Sequence, residues 1–299
     1  MTQPLAGQGA LVTGGAGGFG SAIARALAAD GATVTLMGRT ESALSAVAEE
    51  ITASGGAARV FVGDANEESD VAKAVEVADE TSLRICVATV GGGTMGSVLM
   101  LTAETLRYDF DRNVVSTLHL IRHGSAAMAR HGGGAVVCTS STAGGFPFPY
   151  MASYSVAKAA LESLVKVAAD ELAHLNVRVN AVRPGLVPTK AAKPGILVSD
   201  ERQRTLVLRE KPLSRVGTAE DIAVAARYLA GPESAWVTGV VLPVEGGSHL
   251  RRAADLELLA RHVCGDDAVD RSLRGELPPG AGSEAAAGNE AARNEGDAP

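Results

Sequence analysis

Cysteine is scarce in this chain: its three residues, Cys86, Cys138 and Cys264, show neither a C-x-x-C spacing nor a cluster of metal ligands. No bound metal is therefore expected. Cys86 and Cys138 sit inside apolar strand-like runs and read as small buried thiols rather than redox centres. No basic residue precedes Arg25, so the N-terminus lacks the charged region of a signal peptide and the expected location is the cytoplasm. Basic stripes are missing too. Lys and Arg are scattered and the formal net charge is −7, which favours neither nucleic acid nor an acidic membrane and leaves small molecules as partners. Charge is also absent from Ile85 to Ala103 and from Gly132 to Ala157. A span needs about 20 apolar residues, but glycines, prolines and hydroxyls interrupt both stretches. Each reads instead as a buried strand running into a loop around a ligand, where an unpaired charge would be costly.

What is present is apolar material: 46% of the 299 residues are hydrophobic, enough for a sizeable core. Short apolar runs at Gly9 to Thr13, Thr33 to Met37, Arg59 to Gly63, Arg84 to Val90, Ala135 to Thr139, Val177 to Val182 and Val240 to Val244 predict seven strands. Between them lie amphipathic stretches such as Gly20 to Ala29, Glu41 to Ser54, Thr105 to Arg130, Ser153 to His174 and Thr218 to Ala230. The alternation predicts an α/β fold, a Rossmann-type doubly wound seven-stranded parallel sheet with helices on both faces, in a single domain over residues 1–249. Residues 189–213 read as a flap over a site. Residues 250–275 read as a C-terminal extension with one amphipathic helix from Leu250 to Val263, and residues 276–299 as a disordered tail.

The first strand runs into Thr13-Gly14-Gly15-Ala16-Gly17-Gly18-Phe19-Gly20 and then a helix. Glycines there let the backbone approach a pyrophosphate whose charge the helix start attracts, so Gly14, Gly18, Phe19 and Gly20 are candidate cofactor contacts. At the end of the second strand an Asp or Glu would bind the ribose 2′-hydroxyl of NAD. Here Gly38 stands, followed by Arg39 and Thr40, a setting that favours the 2′-phosphate of NADP, with NAD as the alternative. Asp64, with Ala65 beside it, ends the third strand, to accept the adenine amino proton or to cap the next helix.

Ser141, Tyr154 and Lys158 form the chemical core. On a helix Tyr154 and Lys158 share a face, and the ammonium is expected to lower the phenol pKa from its ordinary value near 10. Ser141, just past the fifth strand, is placed to hold the substrate oxygen. Tyr150 lacks a Lys four residues on. Met95, Met100, Phe146, Phe148, Tyr150, Ile196 and Leu197 are candidates for an apolar substrate lining, which suits a lipophilic carbonyl such as a steroid-like, 3-oxoacyl or terpenoid compound.

Taken together these motifs resemble the short-chain dehydrogenase/reductase family, in its branch of roughly 250 residues, from about Ala6 to Gly247. The family's Thr-Gly-x-x-x-Gly-x-Gly loop falls on Thr13, Gly14, Gly18 and Gly20, and its Ser, Tyr, Lys triad on Ser141, Tyr154 and Lys158. The resemblance implies reversible hydride transfer between NAD(P) and a secondary alcohol or ketone by a homotetramer or homodimer. It adds Asn113 as the holder of a water linking Lys158 to solvent, and Val187 and Thr189 as contacts to the nicotinamide carboxamide and phosphates. One departure stands out. Ala88-Thr89-Val90-Gly91 replaces the usual Asn-Asn-Ala-Gly, which keeps the Gly91 backbone contact to the adenine-side ribose but loses the amide bonds that steady the central strands.

Two rival readings follow from the same residues. The complete triad weighs against a non-catalytic dinucleotide-binding regulator. An epimerase or dehydratase of the family's longer branch lacks room for its substrate domain. In the extension, Leu256, Leu259 and Val263 either dock on a neighbouring subunit or cover an edge of this one.

Overall fold

The computed structural model describes residues 3–189, 201–209, 211–251 and 256–277. The apolar runs form strands β1 (Gly9–Thr13), β2 (Thr33–Gly38), β3 (Ala57–Val62), β4 (Leu83–Ala88), β5 (Gly134–Thr139), β6 (Val177–Pro184) and β7 (Val241–Val244). They make one sheet in the order β3-β2-β1-β4-β5-β6-β7, with every pairing parallel. The chain order reverses between β1 and β4, so the carboxyl ends of those strands open a crevice of the kind that holds ligands in such sheets.

Parallel strands are apolar on both faces because helices cover both. Successive residues of β1 divide accordingly: Leu11 belongs to one core and Val12 to the other. Helices α1 (Gly18–Ala29) and α2 (Glu41–Ala53) bury Ile23, Leu27, Leu44 and Ile51 on the Val12 side. Helix α3 (Glu68–Asp79) buries Val71 and Ala74 on the Leu11 side. Leu11, Leu36 and Ile85 are wholly buried, each stabilising the fold by roughly 2 kcal/mol.

The stretch expected as one helix from Thr105 to Arg130 is three pieces: α4 (Ala103–Phe110), a π turn (Asp111–Val115) and α5 (Ser116–Arg130). Helical periodicity conceals such an insertion, because the π turn keeps the rod continuous while adding a residue to it. Past β5 come the single turn α6 (Thr142–Gly145) and the long α7 (Ala152–Leu172). Of the expected flap, residues 190–200 and Lys211's neighbour at 210 lie outside the described residues, Ile196 and Leu197 among them; α8 (Glu201–Arg209) and α9 (Ala219–Ala230) follow. Among the described residues no helix is long and apolar enough to cross a membrane.

The extension also differs from its expectation. Of the helix expected from Leu250 to Val263 the structure shows α10 (Glu257–Cys264), and a second helix that was not expected, α11 (Asp266–Leu273), follows past Gly265, whose φ is 86°. Leu256 and Leu259 form a small core against which Met95, Phe148, Tyr150, Met151, Leu186 and Val263 of the same chain pack. The tail expected to be disordered lies, from residue 278 on, outside the described residues.

The bonds thought lost with the missing asparagines have a substitute. Thr89 Oγ1 donates to the Thr13 carbonyl at 2.7 Å, tying the end of β4 to the end of β1. Thr89→Val is expected to lower stability by about 1 kcal/mol, the usual net value of one such bond. Urea unfolding with an unchanged slope would register it as a shifted midpoint.

Candidate active site

Gly14, with a φ of 71°, takes the left-handed backbone that turns β1 into the glycine loop. A Cβ on Gly20 would overlap the Gly14 carbonyl and stand 2.9 Å from Thr89 Oγ1, and one on Gly18 would stand 2.6 Å from Thr189 Cγ2. The loop is drawn that tightly. Gly15 N–H donates to the Met37 carbonyl at 3.0 Å, stitching it to β2. Helix α1 then opens at Gly17 without a side-chain cap and without an acidic residue in its first turn. Its first amides and positive end are thereby suited to an external anion, so this cradle fits the pyrophosphate of a dinucleotide.

Strand β2 delivers Gly38 to the same edge, with Arg39 and Thr40 exposed beyond it. Gly63 N–H donates to the Gly38 carbonyl at 2.9 Å and so brings Asp64 alongside. Asp64 does not cap α3, contrary to the alternative left open by the sequence. Its Oδ1 accepts from Asn66 N and Nδ2, both at 2.9 Å, while Glu67 occupies the cap position. Ala65 is buried in the core, and Phe19 is half-buried against the α1 face.

Beyond β4 the chain passes through Gly91, Gly92 and Gly93, each pressed by a different side chain. A Cβ on Gly91 would meet Asn113 Oδ1 at 2.5 Å and Lys158 Nζ at 3.1 Å, and one on Gly93 would meet Tyr154 Cγ at 2.6 Å. Asn113 is fully buried within the π turn. Its Nδ2 donates to the Gly92 carbonyl at 2.8 Å and the Asp109 carbonyl at 2.6 Å, while its Oδ1 accepts from Gly92 N at 3.2 Å. The side-chain amide is thus committed to clamping the glycine run.

Ser141 stands at the end of β5 as the cap of α6, accepting from Ala143 N at 3.2 Å. Tyr154 and Lys158 lie in the first turns of α7. The phenol is half-buried, and its pKa runs opposite to expectation: burial raises it above its ordinary value, against lowering by a hydrogen bond from Ser141 and by the Arg112 charge. Lys158 is not among the groups that set this shift. Nζ donates to the Thr139 carbonyl at 2.7 Å and lies 5.7 Å from the Tyr154 ring centre. Burial brings the Lys158 pKa down to about 8. Past β6, Val187 is buried in the core on the α1 side, and Thr189 sits against Gly18 of the glycine loop.

Several neighbours escaped the sequence reading. Asp109, wholly buried, accepts from Thr94 N at 2.8 Å and from Ser153 Oγ at 2.5 Å, and pairs with Arg112 at 3.3 Å. It fastens the glycine run to the turn before Tyr154. Glu162 accepts from Ser140 Oγ at 2.7 Å and holds Arg183 through both oxygens. Its spacing of four from Lys158 was a usable signal; Asp109, one acidic residue among many on helices, offered none. Cys86 and Cys138 are buried, and burial raises the Cys138 thiol to about 12.

This fold and this convergence of groups define an oxidoreductase of the Rossmann type. The family model described as enoyl-(acyl carrier protein) reductase matches residues 14–249. The chain belongs to the short-chain dehydrogenase/reductase family, whose members use nicotinamide dinucleotides. It is 37% identical over 241 residues to an uncharacterized oxidoreductase of Mycobacterium tuberculosis, covering 80% of this chain and 90% of that one. It is 33% identical over 245 residues to the 7alpha-hydroxysteroid dehydrogenase of Escherichia coli, covering 81% and 94%. Among solved structures, a short-chain type dehydrogenase/reductase from Mycobacterium ulcerans matches with a TM-score of 0.82 at 34% identity, covering 87% of this chain and 96% of its own. A 7α-hydroxysteroid dehydrogenase complexed with NADH and 7-oxo glycochenodeoxycholic acid matches with a TM-score of 0.78 at 31% identity, covering 82% and 96%.

Proposed function

We propose that the protein interconverts a secondary alcohol and a ketone on a lipophilic, steroid-like, 3-oxoacyl or terpenoid substrate, with NADP preferred to NAD. The observation that carries this reading is the meeting of Ser141, Tyr154 and Lys158 at one strand edge with the glycine cradle of Gly14, Gly18 and Gly20. When bound, the dinucleotide supplies or accepts the hydride at the substrate carbon. The α1 amides hold its pyrophosphate, Arg39 and Thr40 its 2′-phosphate, Asp64, Ala65 and Gly91 its adenosine half, and Val187 and Thr189 its nicotinamide end. Support for NADP is Gly38 standing where a carboxylate would select NAD, with Arg39 exposed next to it. Support for a lipophilic substrate is the apolar rim of Met95, Phe148, Tyr150 and Leu186, and the steroid dehydrogenases among the relatives. Fully exposed Trp236 and the edge position of β7 suit a homotetramer or homodimer.

Ser141 orients the substrate oxygen, Tyr154 gives that oxygen its proton in reduction and takes it back in oxidation, and Lys158 offsets the phenolate charge and grips the nicotinamide ribose. Asn113 acts one step removed, by holding Gly92 and hence the wall beside Tyr154. Burial favours the neutral phenol, the form that donates to a ketone. Lys158 is charged below about 8 and loses its proton above that value. For ketone reduction both protons are in place on the acid side. The free-enzyme kcat/KM should therefore stay level up to pH 8 and fall about tenfold per unit beyond it.

A panel of ketones and alcohols with each dinucleotide, followed by absorbance of the reduced nicotinamide, tests the whole reading. NADPH should exceed NADH by about tenfold in kcat/KM, the scale of one charge-assisted contact. No absorbance change with either cofactor across the panel would sink the assignment.

A further inference from the structure

The extension past residue 249 lies beyond the span that the family model matches, and the mechanism above makes no use of it. Its position is nevertheless specific. Leu256 and Leu259 are 8% and 5% exposed, and the residues beneath them come from three loops that leave the carboxyl ends of β4, β5 and β6. Met95 follows Gly93, which is pressed on the Tyr154 ring; Tyr150 and Met151 immediately precede α7; Leu186 begins the segment that ends at Thr189 against the glycine loop. The extension therefore spans the rim around Ser141 and Tyr154, not the back or the edge of the sheet.

Polar contacts fix it there. Ser272 Oγ donates to Ser97 Oγ at 2.6 Å, and Cys264 Sγ donates to the Met95 carbonyl at 3.6 Å. The rim is braced in turn: Gly96 N–H donates to the Tyr150 carbonyl at 2.9 Å, and Gly96 pairs with Met151 in a parallel bridge. Within the extension Arg261 bonds Glu257, Asp266 and Asp270. What it brings to the rim is apolar surface.

We propose that residues 256–277 roof the substrate side in cis and that Leu256 and Leu259 are specificity-determining residues, selecting a bulky apolar body attached to the reacting carbon. This rests on the alcohol and ketone chemistry above. A small ketone reaches Ser141 and Tyr154 without meeting the roof, whereas a ring system or long chain extends along the apolar rim on which Leu256 and Leu259 pack and gains from that cover. The roof thus acts on KM according to substrate size.

The test compares the full chain with Leu259→Ala and with the volume-conserving Leu259→Met. Leu259→Ala is expected to raise KM for a polycyclic ketone about tenfold, the scale of a missing apolar contact. It should leave kcat, dinucleotide affinity and KM for the smallest accepted ketone nearly unchanged, and Leu259→Met should behave as the parent. A second variant, Ser97→Cys with Ser272→Cys in a Cys264→Ser background, is oxidised and run on a non-reducing gel, where the bridge should form within one chain. A KM that rises equally for small and bulky ketones, or a bridge that links two chains, overturns the proposal. The gel requires no turnover. A full chain that moves no hydride at all overturns the function and the specificity role together, while the bridge still reports whether the roof lies in cis.

Discussion

Tyr154→Phe is expected to lower kcat about a thousandfold, in the middle of the range that positioned proton transfer contributes, with dinucleotide affinity nearly unchanged. The substitution removes one oxygen and little else. The ring still fills the space against Gly93, and α7 still starts with Ser153 held by Asp109. Stability should therefore hardly move, so lost turnover would report chemistry rather than unfolding. Single-turnover reduction of a ketone, with binding measured separately by quenching of the reduced dinucleotide, separates the two. Near-parental kcat would mean that another group supplies the proton and that Ser141 and Lys158 have been assigned to the wrong partner.

Gly20→Ala is expected to cost at least a hundredfold in dinucleotide affinity and roughly 2–3 kcal/mol in stability, as for an overpacked site. The added carbon would overlap the Gly14 carbonyl and crowd Thr89 Oγ1 at 2.9 Å, both of them parts of the β1 and β4 ends. Relief requires the loop to move away from α1, which spoils the amide cradle. Titration of the reduced dinucleotide and a melting curve on the same sample measure both losses. A variant that melts lower but binds the dinucleotide normally would show that the tight loop serves the fold and not the cofactor.

The periodicity of the chain made the sheet legible because each strand is apolar on both faces and each helix on one, which is a strictly local signal. Gly14, Ser141, Tyr154 and Lys158 were legible for a related reason: they sit at the ends of recognisable strands or the start of a helix, where topology fixes their edge. The Tyr154 pKa was not. Spacing put Lys158 on the same helix face, but burial of the phenol, which spacing does not report, outweighs every lowering contribution. Asp109 and Arg112 were missed because their partners, Thr94, Gly92 and Ser153, come from other elements. Helix α11 was missed because the stretch past Gly265 is mostly polar, with Asp266, Asp267, Asp270 and Arg271 around a single buried apolar residue, Val269.

The π turn between α4 and α5 has a geometric consequence. One residue added to a helix shifts everything after it by about 100° around the axis. Before the shift, Asp109 faces the glycine run; after it, Leu120 and Ile121 face the sheet core. A single rod thereby serves two walls that do not lie in one plane, and the residue count from Asp111 to Val115 sets the dihedral between them. Natural variation in this protein should then accept substitutions in that stretch far more readily than changes in its length.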